Sequence, residues 1–265
     1  MKESLDVDKA MNSDDLDHFH KVVDNRKKAF TKYTNTCPPP MKLVKPHKFK
    51  LKPDVKPVQV PPTKYGPAKR SLITDWVHWG VEEDLLEKTD GTKYASRLHL
   101  TTKYGETTPK SEPPDDIRIT WAGVEANEGI VKSVPTYPDA WDQMYKVTQY
   151  KYKFSADGLK QYWSIPLDEE SREVNTFWTP LGLYRFKRLV MGTKNAVTVD
   201  QNAYTQVVNS LLPVKAREHI ANFADDFIGV TDTCEELIEL FDQFLDMCIK
   251  TGISHDQPQE GTLWL

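Results

Sequence analysis

From Tyr152 onward the alternation of apolar and polar positions is sharp. Tyr152 and Phe154 alternate with lysines and lead into Ser155–Asp157, the pattern of a half-buried strand. Val174–Trp178 is strand-like, Thr179-Pro180-Leu181-Gly182 reads as a turn, and Tyr184–Leu189 alternates again. Val199, Ala203, Val207 and Leu211 recur every four residues, which predicts a helix over 195–212 stopped by Pro213. Two short apolar runs then flank Asp225-Asp226 and read as a β-hairpin with the acids at its tip. A last helix is predicted from Thr233, whose hydroxyl and Glu236 make a capping box. Leu237, Leu240, Phe241, Phe244, Leu245, Cys248 and Ile249 form its apolar face, and Gly252 ends it. Strand, irregular hairpin, helix, hairpin, helix is the order of an α+β fold, an antiparallel sheet with helices packed on one face.

The first half is patterned more weakly. Leu16, Phe19, Val22, Val23 and Phe30 suggest a short amphipathic helix within 14–33. Residues 68–88 look helical, with Leu72, Trp76, Val77 and Trp79 on the buried side and Gly80 as a breaker. A short strand is predicted at Leu98–Thr102 within a turn-rich stretch. Asp14-Asp15 and Asp115-Asp116 fall in polar surroundings and read as solvated loops, and His18 and His20 as solvated side chains.

Charge changes this picture. The chain has a net charge of −4, but residues 26–70 carry 13 basic side chains and one acid, Asp54, together with 9 of the 18 prolines. A Pro-rich cationic stretch makes no core of its own and reads as an extended strap over 37–70. It serves either as a contact for phosphate backbones or as a solvated linker beside the acidic remainder. Cys37, Cys234 and Cys248 have neither zinc nor disulfide spacing, a reducing-compartment pattern. No run of about 18 apolar residues and no leader-like apolar segment is present, so an intracellular protein with no membrane span is expected.

The Asp225-Asp226 pair is the strongest chemical signal. Carboxylates avoid apolar flanks such as Ile220, Ala221, Phe223, Phe227 and Ile228 unless something offsets their charge. A hairpin tip of this kind suits a divalent metal held against phosphate, and an ordinary turn is the alternative.

Residues 154–196 carry further motifs in order. Asp157 is followed five residues later by Tyr162, then by Ile165-Pro166-Leu167-Asp168 and by Thr179-Pro180-Leu181-Gly182-Leu183-Tyr184. Arg188-Leu189 with Gly192 and Asn195-Ala196 comes next, and Phe223-Ala224-Asp225-Asp226 lies about 70 residues beyond Asp157. Taken together this resembles the reverse transcriptase of gypsy-type LTR retrotransposon polyproteins. The resemblance is strong over 152–253 and weaker over 47–127, where HKFKLKPDVKP, Gly80-Val81, Tyr94-Ala95-Ser96, Arg118 and Asn127 keep the expected order.

The resemblance implies a right-hand polymerase with palm and fingers, apparently truncated after the palm, so that the thumb is missing. It divides the chain into a polar tail with a short helix (1–36), the basic strap (37–70), a fingers-like region (71–150) and a palm-like core (151–265), with 165–194 as a fingers insertion. It implies RNA-directed DNA polymerisation on an RNA or DNA template-primer with dNTPs. Asp157, Asp225 and Asp226 would be the catalytic carboxylates that bind two Mg²⁺ or Mn²⁺. Tyr162 would be the gate against a ribose 2′-hydroxyl. Met191 and Gly192 would lie under the incoming nucleotide, and Arg118 and Lys103 would grip its triphosphate.

Nucleotidyl transfer needs both ends of an in-line displacement stabilised, by two metals about 3.5–4 Å apart. Carboxylates from two elements answer that need, and a guanidinium matches phosphate oxygens in a planar fork. Read without the resemblance, Tyr162 is a core aromatic, Arg118 a surface ion-pair residue, Gly192 a turn glycine and Asp157-Gly158 a hairpin turn. A second reading is a degenerate or truncated relic without activity, at most binding nucleic acid. Ala122-Gly123-Val124 stands where the family carries Asp-aromatic-Arg, and after Gly252-Ile253 the chain reads SHDQPQEGTLWL instead of continuing towards a primer grip.

Overall fold

A computed structural model describes residues 11–31, 37–102, 117–134, 139–223, 226–256 and 263–264. In chain order these form α1 (Ser13–Asn25), β1 (Phe30–Thr31), α2 (Pro67–Glu82), β2 (Leu86–Lys88), β3 (Arg97–Thr102), β4 (Ile117–Ala122), α3 (Val124–Gly129) and α4 (Ala140–Gln149). The remainder is β5 (Tyr152–Asp157), α5 (Glu169–Val174), β6 (Thr176–Thr179), β7 (Gly182–Phe186), α6 (Ala196–Leu211), α7 (Val214–Glu218), β8 (Ile220–Phe223), β9 (Asp226–Thr231), α8 (Cys234–Thr251), β10 (His255–Asp256) and β11 (Leu263–Trp264).

The central sheet has the order β11-β5-β9-β8 and is antiparallel throughout. Its strands alternate as a sheet with one covered face must. Phe154 and Ala156 of β5 and Phe227 and Gly229 of β9 are buried, while Asp157 and Asp226 are exposed. Helices α6 and α8 cover the apolar face. The Phe154 ring lies 4.9 Å from Phe241 and 5.4 Å from Phe244 between centroids, and Phe227 lies 4.8 Å from Tyr204 and 5.2 Å from Phe244. Each such buried side chain contributes about 1.5–3 kcal/mol. Gly229 pairs with Phe154 across the ladder, and a Cβ there would come within 2.1 Å of the ring. Only a glycine leaves room for the phenyl group.

Helix α8 has the predicted ends. Thr233 Oγ1 accepts from the Glu236 amide at 3.3 Å, and Gly252 closes the helix at φ +83°. Helix α1 docks on it through Phe19 against Phe241. Arg26 donates to Asp242 at 2.7 and 3.0 Å and to Asp246 at 2.7 Å.

Besides the two-stranded β1–β10 pair, two further sheets among the described residues extend the molecule. One has the order β2-β7-β6, so it combines a strand from before residue 150 with two from within 165–194. The other is the β3–β4 pair. The basic strap is pinned across these parts. Backbone amides of Met41, Lys42, His47 and Lys52 donate to carbonyls of Ser164, Thr251, Pro166 and Gly129. Val60 N–H donates to the Ala95 carbonyl, whose own amide returns to Val58. Arg188, almost fully buried, donates to the carbonyls of Pro38 and Trp163 and so anchors the start of the strap. The strap is therefore an ordered tie, with Lys42, Lys45, Lys50, Lys52 and Lys56 exposed along it.

Several local readings differ from expectation. The helix predicted over 14–33 ends at Asn25, and Phe30 pairs in β1 with His255 of β10. Gly80 stays inside α2, and the Leu86 side chain occupies the place of its missing Cβ. Leu86–Lys88 is a strand, drawn off the helix by pairing with β7. Val174 closes a short helix capped by Asp168. Asp14 and Asp15 lie in the first turn of α1, where carboxylates favour the exposed amides and the helix dipole. Asp115-Asp116 falls outside the described residues.

Candidate active site

Asp157 ends β5 and Asp226 opens β9, and the antiparallel register sets them directly opposite each other. Directly opposed residues point to the same face with Cβ atoms about 4.5–5.5 Å apart. Since Phe154 and Phe227 occupy the covered face, the two carboxylates share the open one, and both are exposed. Asp225 lies outside the described residues. Among the described residues no group of three or more His, Cys, Asp or Glu side chains could hold a metal, so this pair is the described share of the predicted trio. Two hard, anionic oxygen donors side by side on an open face fit a Mg²⁺-like ion, which keeps several waters and takes one or two carboxylates.

The backbone at both acids is held from behind. The Asp157 carbonyl accepts from His255 Nδ1 at 2.8 Å, and the Leu159 amide donates to the Ser254 carbonyl at 2.9 Å. Asn222 Nδ2 donates to the Asp226 carbonyl at 3.4 Å, and Asn222 itself accepts from Gln201 of α6. The turn after Asp157 folds back, with Gln161 Oε1 filling the space of a Gly158 side chain and Gln161 Nε2 donating to buried Asp200 at 2.7 Å. Burial pushes the His255 imidazole down to about 4 and the Cys248 thiol up, so both are neutral at physiological pH.

Tyr162 lies in a 3₁₀ turn, Gln161–Ser164, half-buried and packed against the core beside Trp163. Met191 and Gly192 form an exposed loop tied to the β3–β4 side of the molecule. Gly192 has φ +94°, and its carbonyl accepts from Asn127 Nδ2 at 2.7 Å. Asn127 Oδ1 in turn accepts from the Lys194 amide at 2.7 Å. Arg118 stands on β4 opposite Thr101, three residues before Trp121, the residue that Gly192 touches. Its backbone alone is described. Lys103 lies outside the described residues. The structure thus brings together Asp157 with Asp226, and separately the Met191-Gly192 loop with the strand that carries Arg118.

A family model described as reverse transcriptase (RNA-dependent DNA polymerase) matches residues 115–257, more than half of the chain. The chain belongs to the reverse transcriptase family. No curated protein matches it. Among solved structures, the selenomethionine-labelled CSH mutant of the prototype foamy virus protease–reverse transcriptase superposes with TM-score 0.76 at 14% identity. That match covers 94% of this chain and 31% of the viral one. The foamy viral protease–reverse transcriptase solved with an RNA/DNA hybrid gives TM-score 0.76 at 14% identity, over 93% of this chain and 31% of that one. The dRH form solved with double-stranded DNA gives TM-score 0.72 at 14% identity, over 93% and 41%. This chain therefore spans under a third of the length of the first of these relatives, and its mixed α+β architecture with antiparallel sheets is that of a reverse transcriptase palm and fingers.

Sequence reading of this reverse transcriptase-family chain missed the supports behind the acids. His255, Gln161, Asp200 and Asn222 carry no motif. The only advance signal was a set of polar residues interrupting apolar runs, and Asp200 within the buried stripe of α6 is the clearest instance.

Proposed function

We propose that this chain is the palm-and-fingers core of an RNA-directed DNA polymerase of the gypsy-type LTR retrotransposon kind. It would use an RNA or DNA template-primer, dNTPs and Mg²⁺ or Mn²⁺. Residues 151–265 serve as the palm, and 71–150 with 165–194 as the fingers. The observation that carries the reading is the Asp157–Asp226 register on an open sheet face.

Asp157 and Asp226, together with Asp225, would hold the cations. When bound, these supply charge stabilisation to the attacking and leaving oxygens of an in-line displacement. Asp157 and Asp226 orient that charge, because both sit on ladder-paired backbone. Arg118, carried on β4, and Lys103 grip the triphosphate. The Gly192 loop offers a bare backbone beneath the nucleotide, with Met191 exposed beside it. The Tyr162 ring excludes a 2′-hydroxyl by contact, and its half-buried anchorage gives the ring a fixed position. The exposed lysines of the strap bind phosphate backbones.

A second reading, a relic that binds nucleic acid without polymerising, is favoured by one observation. At 122–124 the chain has Ala-Gly-Val, and a Cβ at Gly123 would fall 2.0 Å from the Trp121 ring, so the indole fills that place. Primer extension on an RNA template separates the two. The polymerase reading expects incorporation of the templated dNTP, reduced about 100-fold or more in Asp226→Asn. Template-primer binding with no incorporation supports the relic instead, and incorporation unchanged in Asp226→Asn overturns the assignment of the acids.

A further inference from the structure

We propose that His255 is a positioning residue for the paired acids, a role that rests on reading Asp157 and Asp226 as cation ligands. His255 is almost wholly buried, yet both of its ring nitrogens are engaged. Nδ1 lies 2.8 Å from the Asp157 carbonyl, which can only accept, so Nδ1 carries the proton. Nε2 is then an acceptor, and Cys248 Sγ lies 3.3 Å from it as donor. The ring also packs at 86° against Phe227, the residue next to Asp226, and 5.3 Å from Phe244 of α8. One imidazole thus touches the carbonyl of one acid and the immediate neighbour of the other.

The surroundings make this a fixed brace. His255 bridges to Gly158 as an isolated antiparallel pair and is itself held by β1 through Phe30. Ser254 accepts from the Leu159 amide, so residues 254–255 bind the 157–159 segment through both a carbonyl and an N–H group. Two carboxylates sharing a cation tolerate little error in their separation, and partners that orient ligands are typically worth about 10–100-fold in metal affinity. A purely space-filling role would need an apolar side chain of similar size. A positioning role needs the Nδ1 donor.

The test compares full-length His255→Leu, which fills the space without a donor, with His255→Asn, whose amide N–H₂ stands close to the position of Nδ1. Mn²⁺ affinity is read by electron paramagnetic resonance of free Mn²⁺, with thermal unfolding monitored in parallel. The expected result is an affinity about 10-fold weaker in His255→Leu and within about 2-fold of the parent in His255→Asn, at matched melting temperatures. Equal affinity in His255→Leu and the parent, with Asp157→Asn weakened, overturns the role of His255 while leaving the acids as ligands. Affinity unchanged in Asp157→Asn overturns both. Should His255→Leu not fold, ¹⁵N spectroscopy of the parent decides: an Nδ1–H tautomer protected from exchange supports the brace, and an Nε2–H tautomer overturns it.

Discussion

Gly192 lies with its α-carbon against the backbone of Trp121, so close that a Cβ would sit 2.8 Å from the Trp121 carbonyl oxygen. The contact is with backbone, which cannot move aside as a side chain can. Gly192 also has φ +94°, a conformation that costs any other residue energy. Gly192→Ala is therefore expected to lower stability by about 1–3 kcal/mol, measured by urea unfolding, and to raise the apparent KM for dNTP by displacing Met191. Unchanged stability would show that the loop has room to shift.

Gly229 makes the equivalent demand in the palm-like sheet. Gly229→Ala drives a methyl group towards a Phe154 ring already enclosed by Phe241 and Phe244. Overpacking of this kind costs about 1–3 kcal/mol. Trimming the ring in Gly229→Ala/Phe154→Leu is expected to recover part of it, as a thermal-unfolding double-mutant cycle would read.

Acid should destabilise the fold for a reason built into its histidines. Burial pushes His255 from 6.5 down to about 4, and burial also lowers His47. Between these values the unfolded chain takes up a proton that the folded chain refuses. Stability is therefore fully present above about pH 6.5 and is lost as pH falls towards 4. His255 alone accounts for a loss on the order of 3 kcal/mol. Urea midpoints at pH 7.5, 6 and 5 should fall in that order, and His255→Asn should flatten the trend.

Legibility in the sequence followed period and local chemistry. The α8 boundaries were readable because Thr233 and Gly252 act within one turn of the helix. The hairpin carrying Asp226 was readable because two apolar runs bracket a polar step, although Asp226 opens β9 opposite Phe223 instead of lying in the turn itself. The closeness of Asp226 to Asp157 was legible only through the family resemblance, since register depends on pairing across 69 residues and no periodicity encodes a partner. Leu86–Lys88 was misread as helix because its pattern is short and β7 decides its state. His255 escaped notice because a buried imidazole is specified by what surrounds it, here Cys248, Phe227 and the Asp157 carbonyl, from three separate elements.

On the proposed function, the ordered strap makes nucleic-acid binding sensitive to particular lysines. Lys48 already pairs with Glu170 at 2.6 Å, whereas Lys50, Lys52 and Lys56 are exposed along the tie. Replacing these three with Ala is expected to weaken binding to any duplex. The slope of log K against log salt should fall by about 1 for each phosphate that a lysine no longer neutralises. An unchanged slope would place the phosphate-binding cations elsewhere.

That the two opposed carboxylates Asp157 and Asp226 form one cation site is the central claim. Mn²⁺ binding to the parent, to Asp157→Asn, to Asp226→Asn and to the double variant, followed by electron paramagnetic resonance of free Mn²⁺ without nucleotide or nucleic acid, whose phosphates bind Mn²⁺ themselves, tests it most directly. The expected result is Mn²⁺ bound by the parent, weakened in each single variant and absent in the double variant with the fold intact. A folded double variant that binds Mn²⁺ as the parent does would contradict it.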